Sequence, residues 1–420
     1  MKKIIVIGGG ASGMMAAGQA ALMGGNVLLL EKMKHPGNKI AISGKGRCNL
    51  TNNSEVHEFI SHFNRSGRFL HQPFSHFFAP QLMDFFRQRG VDLLVERGKR
   101  VFPRSGKSSD VVDALITWLH DCGVEIRYST AATGLEINNN TLVGVNCGDE
   151  HLPCDAVILA TGGASYPGTG STGDGFAFAT HAGHSLTPLR PALVPLVVSN
   201  PSLRSLAGLD LKNIGIRIYI DGKRKKNDFG EMGFTRFGIG GPVILTHSLF
   251  IVDSLRAKKK VDISLDLKPA LEDAKLDNRL LRDFEKRRTE HIRSVLRGLL
   301  PYKLVEIALL FCAIDGQKTA REITAEERAR LRKWLKDFRI SITGHQPLSE
   351  AIITAGGINV KEINPNTMES RIITGLYVAG ELLDIHGETG GYNLQAAFST
   401  GWLAGRSAMA DPPSSVKKTE

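Results

Sequence analysis

Gly8, Gly10 and Gly13 fall at the spacing G-x-G-x-x-G, and an acid, Glu31, lies within the same short unit. This combination does one kind of chemistry well. The first glycine permits a tight turn, the second lets a pyrophosphate approach the backbone, and the third lets a helix pack closely on a strand. The helix N-terminus then faces the anion with unpaired N–H groups, and the acid takes ribose hydroxyls. A second cluster, "ISGKGRCNLTN" from Ile42 to Asn52, holds two glycines, two cations and a cysteine in one polar run. It reads either as a surface turn or as a backbone cradle for something anionic. A third stretch repeats the glycine spacing at Gly168, Gly170 and Gly173. It follows Pro167 rather than a buried strand, and no strand ending in an acid comes after it at the right distance, so it is not a second dinucleotide fingerprint.

The elements around the first cluster supply the context it needs. Lys2–Gly8 is a short apolar strand, an Ala/Met/Leu helix runs from about Ser12 to Met23, and "NVLLLEK" is a second buried strand ending at Glu31. Strand, helix and strand within this span form a βαβ unit. Downstream, "LMDFFRQRGVDLLVERGKRVFP" reads as a helix and a hairpin, "SSDVVDALITWLHDCG" as a helix opened by Ser108 or Ser109, and "VEIRYST" as a strand. "GLEINNNTLVGVNCGDEHLPCD" is a meander, and "AVILATGG" is a buried strand running into glycines.

From about Thr187 the pattern changes. "PLVVSN", "NIGIRIYIDG" and "KVDISLDLKP" alternate apolar and polar residues, which predicts a small antiparallel sheet or barrel. "LRDFEKRRTEHIRSVLRGLLP" and "TAEERARLRKWLKDF" are helical, the second opened by a capping box of Thr324 and Glu327. Strands resume in "AIITAGGINV" and "GLYVAGELLDI", and "YNLQAAFSTGWLAGRSAMA" is a closing helix. The chain is a doubly wound domain interrupted by an inserted β-plus-α region. One dinucleotide domain fed by three separated glycine turns points to FAD, which is long enough to span the domain.

Composition sets outer bounds. At 420 residues with 42% apolar content, two or three domains are expected. The five cysteines, Cys48, Cys122, Cys147, Cys154 and Cys312, form no C-x-x-C pair, which argues against a disulfide framework or a zinc site and fits a reducing cytoplasm. No metal site is expected. No run of apolar residues is long enough for a membrane span. The N-terminal apolar run is broken by glycines and is read as strand and helix rather than signal peptide. The net charge of +11 is spread along the chain, densest in "DGKRKKND" (Asp221–Asp228) and "RAKKKVD" (Arg256–Asp262), each placed at a hairpin tip or loop. It reads as a solvated basic surface, and without an interleaved aromatic platform no nucleic-acid partner is expected.

The strings "VIGGGASGMMAA", "NKIAISGKGRCNLTNN", "FPRSGKSSDVVDAL", "ILATGGASYPGTGSTGDG", "ITAGGINVKEINPNTMESR" and "GLYVAGELLDIHGETGGYNLQAAFSTG", in this order, resemble the BaiN/RdsA-type NAD(P)/FAD-dependent oxidoreductases over nearly the whole chain. These bacterial flavoproteins include aminoacetone-oxidase-like and dehydro-bile-acid-reductase-like enzymes. The resemblance implies an α/β fold: a glutathione-reductase-like Rossmann FAD domain, discontinuous, with an inserted β-barrel-like domain and a helical domain. The boundaries drawn are 1–186 and 341–410 for the FAD domain, 187–269 for the β-rich insert, 270–340 for the helical subdomain, and 411–420 for a disordered tail.

It also implies non-covalent FAD, with NAD(P)H as a transient co-substrate and a small-molecule substrate. By position, Gly8, Gly10, Ala11, Ser12 and Gly13 hold the pyrophosphate, Glu31 and Lys32 the adenosine ribose, and the backbone at Ala131 and Ala132 the adenine. Ala160, Thr161 and Gly162 line the dinucleotide, and Gly380 and Glu381 contact the ribityl-phosphate side. Lys39, Ser43 and Gly44 lie along the cofactor, with Arg47, Cys48, Asn49 and Thr51 as a floor near the isoalloxazine. Gly391, Tyr392, Asn393, Leu394 and Gln395 come near that ring, the helix directing N–H dipoles to where negative charge develops.

Two places depart from the family pattern: Arg236 and Gly240 where a His and a Ser are common, and His386 where an acid is common. His386 is the first catalytic candidate, as a general acid whose type titrates near neutrality; the alternative is a solvated loop histidine. Arg236 binds a substrate carboxylate or the NAD(P)H phosphate, or is a surface arginine. Cys48 is redox-active or packing; no partner thiol stands at a redox-motif spacing. The activity expected is reduction of an activated C=C or ketone, or transfer to oxygen, with amine or aminoketone oxidation as one alternative and an RNA-interacting or redox-sensing flavoprotein as another.

Overall fold

A computed structural model describes residues 1–410; the tail expected at 411–420 lies outside them. The described residues divide into two compact units, residues 1–190 with those from 352 onward, and residues 191–351.

The first unit is built on a five-stranded parallel sheet in the order Leu376–Val378, Ala156–Leu159, Lys3–Ile7, Asn26–Leu30, Glu125–Arg127. All four pairings are parallel, with Ile7 level with both Leu30 and Leu159. Ile4, Ile5, Val6 and Ile7 are all buried, as a central strand covered on both faces requires. The opening helix, Ala11–Leu22, buries its first ten residues, so it has no solvent face until its last turn. Its cover is the closing helix, Tyr392–Met409. A Cβ on Gly401 would lie 2.2 Å from the Ser12 carbonyl oxygen, and one on Gly405 2.2 Å from that of Ala16. The two helices therefore run parallel with their backbones almost touching, an approach only glycine allows. Two small antiparallel sheets, one of strands within residues 134–153 and one of the strands around Thr51, Leu93 and Arg100, also belong to this unit.

The second unit is a closed six-stranded barrel, in the order Leu196–Val198, Gly238–Gly240, Lys223–Phe234, Asp210–Ile220, Val261–Asp266, Phe338–His345. Its inward residues, such as Ile216, Ile218, Ile263 and Ile340, share one hydrophobic cluster with the helices between Asp273 and Lys336. Barrel and helices are thus one body, where 270–340 was expected to stand apart. The strand Phe338–His345 closes the barrel by pairing with Val261–Leu265, which moves the boundary from 341 to the 351/352 junction. The long helix expected in "LRDFEKRRTEHIRSVLRGLLP" breaks into Asp273–Lys286 and Ile292–Leu296, because His291 and Ile292 pair with Thr319 and Lys318 instead. The capping box is formed: Thr324 N–H donates to Glu327 Oε2 at 2.9 Å and Glu327 N–H to Thr324 Oγ1 at 3.2 Å. Among the described residues no helix is long and apolar enough to cross a membrane.

Candidate active site

The strand Lys3–Ile7 ends where Gly8 takes φ +107°, and Gly8 N–H donates to the Leu30 carbonyl at 2.8 Å. A Cβ on Gly8 would sit 2.6 Å from the Ala160 carbonyl oxygen, and one on Gly13 would be 1.8 Å from that of Gly8. These two glycines are demanded by the protein's own packing. Gly10 is different: a Cβ there would meet nothing within 4 Å. It is the N-cap of the opening helix and no side chain caps it, so the N–H groups of the first turn, from Ala11, Ser12 and Gly13, open onto that space. This is the shape and donor set that a pyrophosphate needs, and the residues fit the dinucleotide.

Glu31 is 8% exposed; its Oε2 accepts Gly9 N–H at 2.8 Å and its Oε1 accepts Met33 N–H at 2.7 Å. Burial pushes its carboxyl up, against the opposing pull of these two N–H groups and of Lys32. Each oxygen retains acceptor capacity for ribose hydroxyls. Thr130 N–H bonds the Glu31 carbonyl at 2.9 Å, which places Ala131 and Ala132 beside that acid. Lys32, expected beside the ribose, has protein partners in this structure. Its ammonium is 2.5 Å from Asp174 and also bonds Thr172, both in the second glycine loop, which thereby serves as a brace for the ribose strand. Ala160 N–H bonds the Ile7 carbonyl at 2.9 Å, and the adjoining Thr161 hydroxyl is buried without a partner.

Lys39 and Glu381 form a node that local sequence does not announce. Lys39 Nζ donates to Glu381 Oε2 at 2.6 Å and to Ser165 Oγ at 2.7 Å; Glu381 Oε1 accepts Thr354 N–H at 2.8 Å and the Ser165 hydroxyl at 3.2 Å. Burial acts to raise the Glu381 pKa, but Lys39 and the N–H groups of Thr354 and Gly163 outweigh it and hold the carboxyl below its ordinary value. Gly380 has φ +76° and donates its N–H to Thr400 Oγ1 at 3.0 Å, tying this turn to the closing helix.

The "ISGKGRCNLTN" run begins inside a short helix, Asn38–Gly46, whose helical geometry ends at Ser43. Gly44, Lys45, Gly46 and Cys48 all have positive φ, so the run coils upon itself: Cys48 N–H donates to the Ser43 carbonyl at 3.0 Å and Ser43 Oγ donates to that of Ile40 at 2.7 Å. Cys48 is fully buried and its thiol is pushed up to about 12 by burial, so the thiolate needed for redox chemistry is absent at neutral pH and its packing reading is the better one. Arg47 bonds Glu96 and stacks its guanidinium 4.3 Å from the Phe102 ring centroid. Neither partner was among the expected site residues.

The end of this run meets the N-terminus of the closing helix. With its amide oriented by its neighbours, Asn49 donates to the Thr51 carbonyl at 3.2 Å and accepts Gly391 N–H at 3.0 Å. Thr51 Oγ1 donates to Gln395 Oε1 at 2.6 Å, and Gln395 Nε2 donates to Ser399 Oγ at 2.9 Å. Asn393 holds the preceding loop, accepting Gly387 N–H at 2.8 Å and donating to the Gly387 and Glu388 carbonyls. Tyr392 lends its backbone to the helix start, but its ring stacks on His62 at 4.3 Å within an aromatic cluster with Phe59 and Phe63. Leu394 is half-buried in the same turn. Gly391 has φ +97°, and a Cβ there would lie 2.4 Å from both the carbonyl carbon and oxygen of Thr51. Gly391→Ala is therefore expected to destabilise the protein by about 3 kcal/mol, from positive φ and overpacking together; a thermal melt indistinguishable from the parent would refute that close approach.

His386 is buried at 9% exposure, which removes the solvated-loop reading. Its Nδ1 lies 3.2 Å from Asn64 Nδ2, which also faces the Asp384 carbonyl at 3.2 Å and carboxylate at 3.3 Å. The same Nδ1 lies 3.9 Å from Asp384 Oδ1, so this ring nitrogen faces an amide and a carboxylate together. Asn64 has no motif around it, and sequence reasoning missed it. Arg236 belongs to the other unit, exposed between the strands Lys223–Phe234 and Gly238–Gly240, its guanidinium 5.6 Å from the Phe237 ring centroid.

Comparison with known proteins identifies the family and the fold. The model for the HI0933-like protein Rossmann domain matches residues 2–407. The 3-dehydro-bile acid delta(4,6)-reductase of Clostridium scindens is 33% identical over 98% of this chain and 100% of its own. The ribosomal RNA dihydrouridine synthase of Escherichia coli is 28% identical over 97% of this chain and 98% of its own. Among solved structures, 3-ketosteroid delta1-dehydrogenase from Sterolibacterium denitrificans shares the fold, with TM-score 0.53 and 13% identity over 97% of this chain and 100% of that one. With a glycine turn built for a dinucleotide and a family match over nearly its whole length, this chain belongs to the HI0933-like, BaiN/RdsA-type family of flavin-dependent oxidoreductases.

Proposed function

We propose that the protein reduces a carbon–carbon double bond conjugated to a carbonyl, with NAD(P)H as the electron source and FAD as the bound carrier. The observation that carries this reading is a bond shared by two relatives with different substrates. One is named for reducing delta(4,6) unsaturation in a 3-dehydro bile acid, the other for making dihydrouridine, in which a ring double bond beside a carbonyl is saturated. When bound, FAD supplies the hydride-transfer chemistry at its N5.

The remaining tasks fall to residues of this chain. The Gly10 turn and the opening helix hold the phosphates, Glu31 the ribose, and the Lys39–Glu381 node the shape of the middle. The uncapped N–H groups of the closing helix favour negative charge at its N-terminus. A conjugated double bond that gains hydride at its β-carbon needs a proton at its α-carbon. His386, as its imidazolium with the ring held beside Asn64 and Asp384, is the proposed donor. Arg236 remains the proposed holder of an anionic group on the substrate or on NAD(P)H.

A second reading of the substrate has its own support. Residues 191–351 carry 30 Lys and Arg against 20 Asp and Glu, so +10 of the chain's +11 lies on that unit. That asymmetry favours a polyanion, in which case the double bond is the uracil C5=C6 of an RNA nucleotide, contrary to the sequence expectation of no nucleic-acid partner.

The test is to reduce the purified yellow protein anaerobically with NADH or NADPH, then add a conjugated dienone steroid, a uridine-containing RNA or a saturated ketone, and separately to mix the oxidised protein anaerobically with an aminoketone. Rapid flavin reoxidation is expected with one of the two conjugated acceptors. His386→Gln should slow that step while leaving reduction by NAD(P)H as in the parent. Bleaching of the oxidised flavin by the aminoketone, with no reoxidation by either conjugated acceptor, would replace this reading with an oxidase.

A further inference from the structure

Within the second unit, the charge is gathered at one place. The hairpin joining Asp210–Ile220 to Lys223–Phe234 turns at Asp221 and Gly222, both with positive φ, and the four residues after the turn, Lys223 to Lys226, are consecutive cations. The neighbouring strand, Val261–Asp266, is preceded by Lys258, Lys259 and Lys260. The fold joins these two runs: Ile220 pairs with both Lys223 and Val261, Asp221 N–H donates to the Lys260 carbonyl at 2.9 Å, and Lys260 N–H donates to Asp221 Oδ1 at 3.0 Å. All seven cations are exposed at one end of the barrel.

Elsewhere in this unit several cations have acidic partners. Arg217 and Lys336 share Asp266, Arg328 and Arg332 share Asp277, and Arg287 holds Glu290. At the barrel end, the sole ion pair among the described residues is Lys260 with Asp262, at 3.9 Å. Lys226 lies 5.5 Å from the Phe250 ring centroid, and Asp221 Oδ1 accepts the Lys260 N–H. Unpaired like charges this close repel one another, and an anion with repeated charges relieves that repulsion by displacing small counterions.

We propose that this barrel end is a docking surface for the phosphate backbone of RNA, an inference that rests on the second of the two substrate readings. The apolar residues next to the turn, Ile220 and Val261, are 4% and 1% exposed and point into the barrel. These two side chains are not offered to the interior of a lipid bilayer, and the seven exposed cations are what the turn and its neighbour present. Alternate side chains along the strand recur about every 7 Å, giving two rows of cations on the hairpin, with a third on the adjoining turn.

The test uses the full flavin-loaded protein and a fluorescein-labelled RNA stem-loop containing uridines, titrated over a range of salt, with vesicles rich in phosphatidylglycerol as a rival ligand. Two variants change four or three exposed side chains: Lys223→Gln with Arg224→Gln, Lys225→Gln and Lys226→Gln, and separately Lys258→Gln with Lys259→Gln and Lys260→Gln. The parent should bind the RNA. In the first variant the slope of log affinity against log salt should fall by about 3, and in the second by about 2, each with at least about tenfold weaker binding at physiological salt. Thermal melting and flavin reduction by NAD(P)H should stay as in the parent.

Parental slope and affinity in both variants would overturn the proposal, as would a parent that binds the vesicles and not the RNA. Formation of dihydrouridine in the probe, read by mass spectrometry, separates the two claims. RNA bound through these residues but never reduced sinks the uridine reading and leaves the docking surface standing. Reduction by both variants with unchanged KM sinks the docking surface and leaves the uridine reading standing.

Discussion

Gly10→Val is expected to fold and melt like the parent and to purify without its flavin. The residue lies in extended backbone, φ −86° and ψ −169°, which a β-branched side chain adopts without strain, and a Cβ there meets no protein atom within 4 Å. The branches instead occupy the space that the first helical N–H groups face. A loss of at least about a hundredfold in FAD affinity, roughly 3 kcal/mol, is expected. Gly13→Val should fail differently. Its Cβ would be 1.8 Å from the Gly8 carbonyl oxygen, so strand and helix must separate, and the protein should be destabilised by at least about 3 kcal/mol before any ligand is considered. Flavin content and thermal melting, measured on both variants, distinguish a lost ligand from a lost turn. Stoichiometric FAD in a well-folded Gly10→Val would refute the dinucleotide assignment.

The second large effect belongs to Lys39 and Glu381. Their side chains are 26% and 19% exposed, and removing one leaves the other charge poorly solvated. Lys39→Met or Glu381→Gln alone should cost on the order of 3 kcal/mol, while the double variant should recover a good part of that. The pH dependence has a definite sign. Because the folded pKa of Glu381 lies below its ordinary 4.5, its contribution is fully present above pH 4.5 and disappears as pH falls through the folded value. Lys39→Met should therefore show a shallower loss of stability on acidification below pH 4.5. Identical acid-unfolding curves for parent and variant would show that the pair contributes nothing.

What the sequence disclosed follows the range of the interactions involved. The Gly8–Gly13 turn, the Thr324–Glu327 box and the alternation in "NIGIRIYIDG" are set by neighbours a few residues apart, so type and spacing suffice to read them. Lys39 and Glu381 are 342 positions apart and meet only because the strand Leu376–Val378 returns to the sheet beside Ala156–Leu159. The barrel boundary has the same cause, since nothing local in Phe338–His345 shows which strand it will close against. Lys32 and Arg47 carry the charge expected of ligand-binding residues, and their pairing with Asp174 and Glu96 is a tertiary fact that no local spacing shows. His386 drew notice through its setting, but its burial and its Asn64 partner depend on a fold that brings Asn64, His386 and Asp384 together.

The glycine contact between the opening and closing helices does more than allow them to pack. With Gly401 level with Ser12 and Gly405 with Ala16, the closing helix reaches about eight residues farther back than the opening one, about 12 Å at roughly 1.5 Å per residue. Two positively polarised helix ends, pointing the same way, are thus clamped at a set interval like the jaws of a caliper. Sliding one helix by a single residue would swing a glycine out of line by about 100° and drive a side chain into the opposite backbone. The fold is in this sense a length gauge: a ligand with one electron-rich point satisfies one jaw, and a ligand with two at the matching separation satisfies both.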